Sequence, residues 1–318
     1  MPRRTALRPI GLTLACAVAM SLTVPALAGA KSKTVGAELR VVGPDGQTLA
    51  QQAQYTGTVK VPTDPNALCF GQGSGGSGAR VKLSGPTALG AVQDASATAR
   101  GVRPLSVTDA FDFGLGVCGI GGFQAQGSAS WYLKHNHAGA QIGGDQLAVK
   151  KRDEVLWYLA PSFPYPPELA LEAPARVDPG EPFEVRVLAY ADDGTATPAA
   201  GASVGGGTTD AGGRATLQLD SVERLQARRG ADIPSNEAIV CVNPVSECGA
   251  QQTIAGTGKR DKVKGTKLAD KIKARGANDR VKARGGGPDR VNCGTGKRDV
   301  AIVDADDTTK ACEKVRKK

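Results

Sequence analysis

The sequence is poor in aromatic residues and in histidine. Only 4% of the 318 residues are aromatic, two are histidine, and no aromatic residue follows Tyr190. A core built on large aromatic side chains is therefore excluded for everything after Tyr190. Two histidines and no G-x-S-x-G sequence leave little material for a nucleophilic triad, so we expect a protein that is not an enzyme. The alternative, a degradative enzyme, would need converging carboxylates in a pocket.

Long hydrophobic runs are absent outside the N-terminus, where a bilayer span would need ~20 apolar residues. The first 30 residues combine three arginines, an apolar run and small residues at its end, which is typical of a secretory signal peptide. We therefore predict a signal peptide over 1–30 and an extracellular or cell-surface protein with no stable membrane span after cleavage. A lipoprotein anchor at Cys16 and a retained membrane anchor are the alternatives, although Thr23 and Pro25 interrupt the run.

No C-x-x-C pair occurs, which disfavours zinc, yet six cysteines follow the signal peptide. They are Cys69, Cys118, Cys241, Cys248, Cys293 and Cys312. An even number of cysteines in an exported chain implies disulfides, with several connectivities formally open. The simplest choice pairs each cysteine with its neighbour in the sequence. Each bridge would stabilise its region by roughly 2–4 kcal/mol.

After the predicted signal peptide, acidic residues are outnumbered only at the C-terminus. Residues 256–318 hold 19 Lys or Arg against 9 Asp or Glu, whereas residues 31–255 hold 18 against 22. The tail alone is therefore basic.

This tail contains a repeat, in which an aspartate is followed two residues later by a β-branched apolar residue. The pairs are Asp261 with Val263, Asp270 with Ile272, Asp279 with Val281 and Asp289 with Val291, and Asp299 is a less regular fifth aspartate. The aspartates are nine or ten residues apart. Such a period, with glycines before the aspartate, is typical of a stacked β-roll whose turns each bury about one side chain.

The repeat resembles the haemolysin-type (RTX) calcium-binding repeats. The resemblance implies a parallel β-roll over 251–318 and Ca²⁺ as the cofactor, bound through Asp261, Asp270, Asp279, Asp289 and Asp299. The stretch departs from the family, because only some of its glycines are kept. Gly256, Gly265 and Gly294 keep the first glycine of a repeat, and Lys259 and Arg260 are basic where acidic or small residues are usual.

Alternation along the strands predicts that the Val and Ile side chains point inward and basic side chains outward. The outward set is Lys262, Lys264, Lys271, Lys273, Arg280, Lys282 and Arg290. The like charges on such dense basic faces repel one another, so we expect the faces to bind an anionic cell-envelope polymer or polysaccharide. The alternative is a solvated charged face that only keeps the protein soluble. We expect no nucleic acid partner, because the tail has no aromatic residues for base stacking and the chain is exported.

Residues 31–160 combine strand patterns with one helix pattern. Strands are predicted at 37–42, 57–61, 131–133 and 155–158, and a helix at 87–95, opened by Pro86. We expect the two aromatic strands, at 131–133 and 155–158, to share one core. His135 and His137 flank Asn136 after the first of them. They could bind a metal, but no third ligand is evident, and a solvated hairpin end is the favoured interpretation.

In their order, these residues resemble the DUF4430 domain, which is related to the C-terminal domain of transcobalamin. The resemblance implies an α+β, β-grasp-like head and a possible small ligand, cobalamin or a peptide-like molecule. The chain departs from the family by a long insertion at 103–127, which contains Cys118.

A proline-rich linker at 161–167, which we expect to be extended, separates the head from a middle region at 168–250. Residues 168–250 then show short strands at 169–171, 183–190 and 215–219, divided by Pro-Gly, Asp-Asp-Gly and Gly-Gly turns. The order resembles bacterial immunoglobulin-like domains, which implies a spacer or adhesive β-sandwich.

These patterns together predict a mainly β, multi-domain protein with a β-grasp-like head, an Ig-like β-sandwich and a parallel β-roll. We expect a secreted or cell-surface binding protein whose basic tail docks on an anionic envelope polymer. The alternatives are a calcium-binding RTX-like protein whose tail folds on Ca²⁺, and a head domain that binds cobalamin or another small ligand.

Overall fold

The computed structural model describes residues 34–69, 74–244 and 248–318. The predicted signal peptide lies outside the described residues. Strands account for 44% and helices for 5% of the structure, in several sheets, so the expectation of a mainly β protein is confirmed. Within the described ranges, none of the helices has the length and apolar character that crossing a membrane requires.

The described residues of the head include ten strands and one α-helix. They are β1 Val35–Val42, β2 Thr48–Thr56, β3 Val59–Pro62, β4 Arg80–Leu83, α1 Ala88–Ala95, β5 Leu105–Phe111, β6 Gly114–Ile120, β7 Phe123–Gln124, β8 Ser130–His135, β9 Ala138–Gly139 and β10 Glu154–Ala160, with 3-10 turns at Pro44–Gly46 and Arg100–Val102. Strands β2-β1-β10-β8-β9 lie side by side, with β1 and β10 parallel. The predicted insertion forms the separate meander β5-β6-β7.

The predicted helix is present as α1, and Thr87 caps its N-terminus. The Thr87 hydroxyl accepts a hydrogen bond from the Gly90 backbone N–H at 3.1 Å, which satisfies one of the free donors of the first turn. Leu89 and Val92 are fully buried, and Trp131 and Trp157 lie in the same apolar cluster. The expectation that the two aromatic strands share one core is therefore confirmed.

The described residues of the middle region, 168–250, include nine short strands around a second core. They are β11 Glu168–Glu172, β12 Arg176–Val177, β13 Phe183–Tyr190, β14 Ala196–Pro198, β15 Ser203–Val204, β16 Gly207–Thr208, β17 Arg214–Leu217, β18 Glu223–Leu225 and β19 Ala238–Val242. Strand β13 pairs with β11, β14 and β17, and β19 pairs with β12 and β18. Residues from both groups, such as Val187 and Val240, are buried in one cluster.

Residues 251–318, which we call the C-terminal coil, contain eight short strands. They are β20 Gln252–Ala255, β21 Lys262–Lys264, β22 Asp270–Lys273, β23 Arg280–Lys282, β24 Arg290–Asn292, β25 Val300–Val303, β26 Thr308–Lys310 and β27 Lys314–Lys317. Successive strands alternate between two parallel rows, β20-β22-β24-β26 and β21-β23-β25-β27. Val263, Ile272, Val281 and Val291 are all buried between these rows, as the alternation predicted.

The coil continues the sheet of the head. Strand β20 pairs in parallel with β2, with Ile254 opposite Ala53, and this joins the strands into one sheet, β26-β24-β22-β20-β2-β1-β10-β8-β9. Ala53 belongs to the apolar cluster of the coil. All described residues belong to one compact unit, so the three regions are packed against one another.

The predicted local disulfides are confirmed. The bridges join Cys69 to Cys118, Cys241 to Cys248 and Cys293 to Cys312. Each region thus has one bridge of its own.

Candidate functional site

The first two strands of the row β21-β23-β25-β27 present basic side chains in register. Lys262 lies beside Arg280, and Lys264 lies beside Lys282. All four side chains are exposed, and parallel neighbours in a sheet are spaced by roughly 4.8 Å. Unit charges at that spacing repel one another, so an external anion would stabilise this face.

A second basic face lies on the other row, β20-β22-β24-β26. Lys271 lies beside Arg290, and Lys273 lies beside Asn292. Burial, followed by the charge of Lys271, lowers the pKa of Lys273. In the part of the chain that the structure describes, none of the seven predicted polyanion-binding residues forms an ion pair.

Three further cations extend these faces. Lys314 and Arg316 of β27 stand in register with Val300 and Ile302 of β25, and Lys310 of β26 stands beside Asn292. The predicted polyanion-binding set ends at Arg290 and does not include the C-terminal segment 314–317. Continued alternation after Cys312 is the signal that identifies it as a strand of the same row.

The five predicted metal-binding aspartates lie inside the coil. Their exposure is between 0% and 2%. The backbone N–H of each of the first four aspartates donates to the side-chain carboxylate of an aspartate in the next full turn of the coil. These hydrogen bonds run from Asp261 to Asp279 at 2.8 Å, Asp270 to Asp289 at 2.8 Å, Asp279 to Asp299 at 2.6 Å and Asp289 to Asp307 at 2.8 Å. We call these two hydrogen-bonded columns the aspartate ladder.

The ladder shows which aspartates of the repeat are hydrogen-bonded partners. Partners are 18 to 20 residues apart, which is two sequence repeats, because successive aspartates belong to alternate columns. The carboxylates of Asp261 and Asp270, which begin the two columns, cap their own turns, because the Thr257 and Thr266 backbone N–H groups donate to them at 2.6 and 2.7 Å. The aspartates therefore have a structural role that needs no ion.

Burial makes ionisation of the ladder costly. Desolvation, together with neighbouring aspartates, raises the pKa of Asp279 and of Asp289 to about 7, against hydrogen bonds from Asp261 and Asp270 that lower it. Burial also raises the pKa of Asp261 and of Asp270. Calcium binding by these residues stays a prediction.

A second group of charged residues surrounds a cavity of about 410 Å³ between the head and the middle region. At its base lies Glu168, whose exposure is 2%. The Arg40 guanidinium donates to the Glu168 carboxylate, and Lys134 Nζ lies 3.7 Å from its second oxygen. His137 Nδ1 lies 3.3 Å from Glu168 Oε1. One buried carboxylate thus faces three cationic groups from the head.

His137 links this carboxylate to the cavity rim. Its Nε2 lies 3.0 Å from Glu154 Oε2, a side chain that is 53% exposed, and its ring stacks on Tyr190 at 3.8 Å between centroids. Burial disfavours the charged imidazole, but hydrogen bonds and charges of Glu154 and Glu168 outweigh it and raise the pKa of His137 to about 9. The ring is therefore an imidazolium at neutral pH.

The two histidines lie on either side of a turn and contact different carboxylates. Asn136 and His137 have φ of 49° and 69°, so they form the hairpin turn between β8 and β9 and strand alternation does not apply to them. His135 Nε2 lies 2.7 Å from Asp153. His137, Glu154 and Glu168 form a group whose ligand atoms lie within 4.8 Å of one another, but Arg40 and Lys134 beside Glu168 oppose a metal cation.

The raised pKa of His137 predicts a loss of stability at alkaline pH. Because its folded pKa of about 9 lies above the ordinary 6.5, its contribution is complete below 6.5 and is lost as pH rises through about 9. We expect the difference in unfolding free energy between wild type and H137Q to shrink over that interval. An NMR titration of the imidazole should give the midpoint near 9, and E154Q should lower it. A midpoint near 6.5 would contradict the ion pairs.

Comparison of the chain with models of known protein families, with curated proteins and with solved structures finds no match. The site is therefore interpreted from its own geometry.

Proposed function

We propose that this protein is a secreted or cell-surface binding protein, without enzymatic activity, that docks on an anionic envelope polymer through the basic faces of its C-terminal coil. One observation carries the proposal. Lys and Arg side chains stand in register on both rows of the coil and have no acidic partners among the described residues, and all seven predicted residues except the half-buried Lys273 are exposed. A repeating polyanion presents charges at regular intervals, and a rigid ladder of strands presents cations in the same manner.

The assignment of the three regions to DUF4430-like, Ig-like and RTX-like folds is part of the proposal. The strand order of the head, the shared core of the middle region and the parallel pairing of the coil support it. A small ligand of the head, cobalamin or a peptide-like molecule, belongs to the same group of proposals.

Calcium binding is the second candidate, and a specific observation favours it. Three buried carboxylate oxygens of one ladder column, Asp261 Oδ1, Asp279 Oδ2 and Asp299 Oδ2, have no hydrogen-bond partner among the described residues. Hard carboxylate oxygens are the ligands that Ca²⁺ prefers. An ion between two neighbouring carboxylates of the column, Asp261 with Asp279 or Asp279 with Asp299, would offset their charge.

Binding of the purified mature protein to heparin and to polyglycerol phosphate tests the preferred function. We expect affinity to fall at least about tenfold between 50 and 200 mM salt, because bound counterions are released on binding. The double variant R280E/K282E reverses two adjacent charges of one face and should lose about tenfold or more in affinity at low salt.

The matched control is K150E/K151E, which makes the same change of charge at two exposed lysines of the head. It should bind as wild type. Equal losses in the two variants would show that net charge alone decides binding, and binding insensitive to salt would exclude the proposed interface.

A further inference from the structure

The head and the coil enclose a basic cleft that neither predicted site includes. Its volume is about 510 Å³, and it lies between the hairpin β3-β4, the end of α1 and the first turns of the coil. Among the described residues, one carboxylate lines the cleft, that of Asp94, against five cationic side chains: Lys60, Arg80, Lys82, Lys259 and Arg275. The cleft exists only because the coil is packed against the head.

The head contributes a pair of facing lysines. Lys60 and Lys82 are directly opposite in the antiparallel pairing of β3 and β4, and both are exposed. Like charges in such a pair destabilise the hairpin. Since Arg80 adds a third positive charge on the same strand, an anion in the cleft would relieve the repulsion.

The coil contributes an arginine that is held in place. Arg275 Nη1 donates to the backbone oxygens of Asp94 and Gly256 at 3.3 Å each and lies 3.8 Å from the Asp94 carboxylate. Among the described residues, these contacts all use Nη1, so Nε and Nη2 are left for a ligand. Two adjacent guanidinium donors fit the two oxygens of a carboxylate or phosphate.

The single carboxylate of the cleft is already engaged. Asp94 is 8% exposed, and the Thr56 hydroxyl donates to it at 2.9 Å. Its contacts with Thr56 and Arg275 orient the guanidinium and leave the cleft strongly positive. Lys259 Nζ donates to the Thr58 backbone oxygen, which ties the coil to the head at this point.

We propose that this cleft binds one oxyanion group, a phosphate or a carboxylate, of the polymer that the basic faces hold. The inference rests on the proposed function, because the polymer supplies the group. Lys259 precedes Lys262 by three residues, so the cleft lies at the start of one basic row. A chain seated on the row would thus reach the cleft at the first turn of the coil. The cleft would fix the register of a polymer that the faces hold only by charge.

Isothermal titration calorimetry of the purified mature protein with short oligomers tests the proposal. A glycerol phosphate hexamer and an oligogalacturonate hexamer distinguish phosphate from carboxylate. We expect one site per chain for at least one hexamer. K60Q/K82Q should weaken it by about tenfold, and R275K, which keeps the charge but loses the bidentate donors, by severalfold. K150Q/K151Q is the matched control and should leave it unchanged.

The outcomes separate the cleft from the faces. Unchanged hexamer affinity in both K60Q/K82Q and R275K overturns the cleft, while loss of polymer binding in R280E/K282E would leave the proposed function intact. If R280E/K282E keeps full polymer affinity and K60Q/K82Q loses the hexamer, the cleft stands and the face proposal fails. Absence of hexamer binding in wild type overturns the cleft directly. Circular dichroism and melting curves of each variant confirm that it is folded.

Discussion

Substituting Glu168 by alanine is expected to lower the free energy of unfolding by about 3–5 kcal/mol, the cost of breaking a buried ion pair from one side. The reason is the arrangement around the carboxylate. Burial opposes its ionisation, but His137, Arg40 and Lys134 outweigh burial and lower the pKa of Glu168. Without the carboxylate, these three cationic groups would remain close together and partly desolvated. Urea denaturation of the mature protein at pH 7 measures the change.

A second readout separates this electrostatic role from simple packing. In E168A, His137 loses one of the two carboxylates that hold its proton, so its pKa should fall from about 9 toward the ordinary value. Burial and the nearby Arg40 and Lys134 would add to the decrease. E168Q keeps the shape of the side chain and should show the same direction of change.

The matched control is E172A, at the other end of the same strand. Glu172 is exposed, and its only ion pair among the described residues is with Arg186 at 3.9 Å. Exposed pairs contribute about 0–1 kcal/mol, so this variant should be within about 0.5 kcal/mol of wild type. If E168A were equally mild, the network at Glu168 would not be what holds the head against the middle region.

Local patterns in the sequence predict much of this fold. Thr87 and the apolar residues after it specify a helix because the cap and the buried face are both encoded within nine residues. The repeat of Asp261 and Val263 predicts inward aliphatics and outward lysines because alternation depends only on the strand itself. The short distance between Cys241 and Cys248 makes their pairing predictable for the same reason.

Contacts between distant segments leave no such pattern. Arg40 and Glu168 are 128 residues apart, and Glu168 reads in the sequence only as the first residue of a strand after a proline-rich linker. The sequence predicts that His137 lies at a solvated hairpin end, and only the structure shows that Glu168 lies beside it. The pairing of Ile254 with Ala53, which creates the basic cleft, is equally invisible, because either strand alone could lie at the edge of its sheet.

The aspartate ladder lies between these cases. The spacing of nine or ten residues is plain in the sequence and points to calcium, because the known family with this period binds it. The structure places the hydrogen-bonded partners two repeats apart. The physical question is therefore whether the charge or the acceptor oxygen of each aspartate is what the coil requires.

Substitutions of Asp279 answer that question. In D279N the amide oxygen can still accept the Asp261 backbone N–H, which is bonded at 2.8 Å in the wild type. In D279A this buried N–H loses its partner, which costs about 1–3 kcal/mol. We therefore expect D279A to be less stable than D279N by that amount at every pH, measured by urea denaturation in buffer with a chelator.

The pH dependence identifies the charge. The folded pKa of Asp279 is about 7 against the ordinary 3.8, so its favourable contribution is complete below 3.8 and is lost as pH rises through about 7. D279N has no such proton to lose. Without calcium it should gain on wild type between pH 5 and pH 8, by on the order of 2 kcal/mol. Its amide hydrogens can donate to Asp261 Oδ1 or Asp299 Oδ2, which have no partner among the described residues.

If the aspartates bind calcium, adding the ion should make wild type more stable than D279N. An ion that binds only the folded coil stabilises wild type in proportion to the logarithm of its concentration, and D279N would lose that gain. The control is D306N, at an exposed aspartate of the same coil, which should follow wild type with and without calcium. If millimolar calcium raises the melting temperature of wild type and D306N but not of D279N, the column is a calcium site. If all three proteins respond alike to calcium, Asp279 acts only as a hydrogen-bond acceptor, and its negative charge lowers the stability of the folded coil.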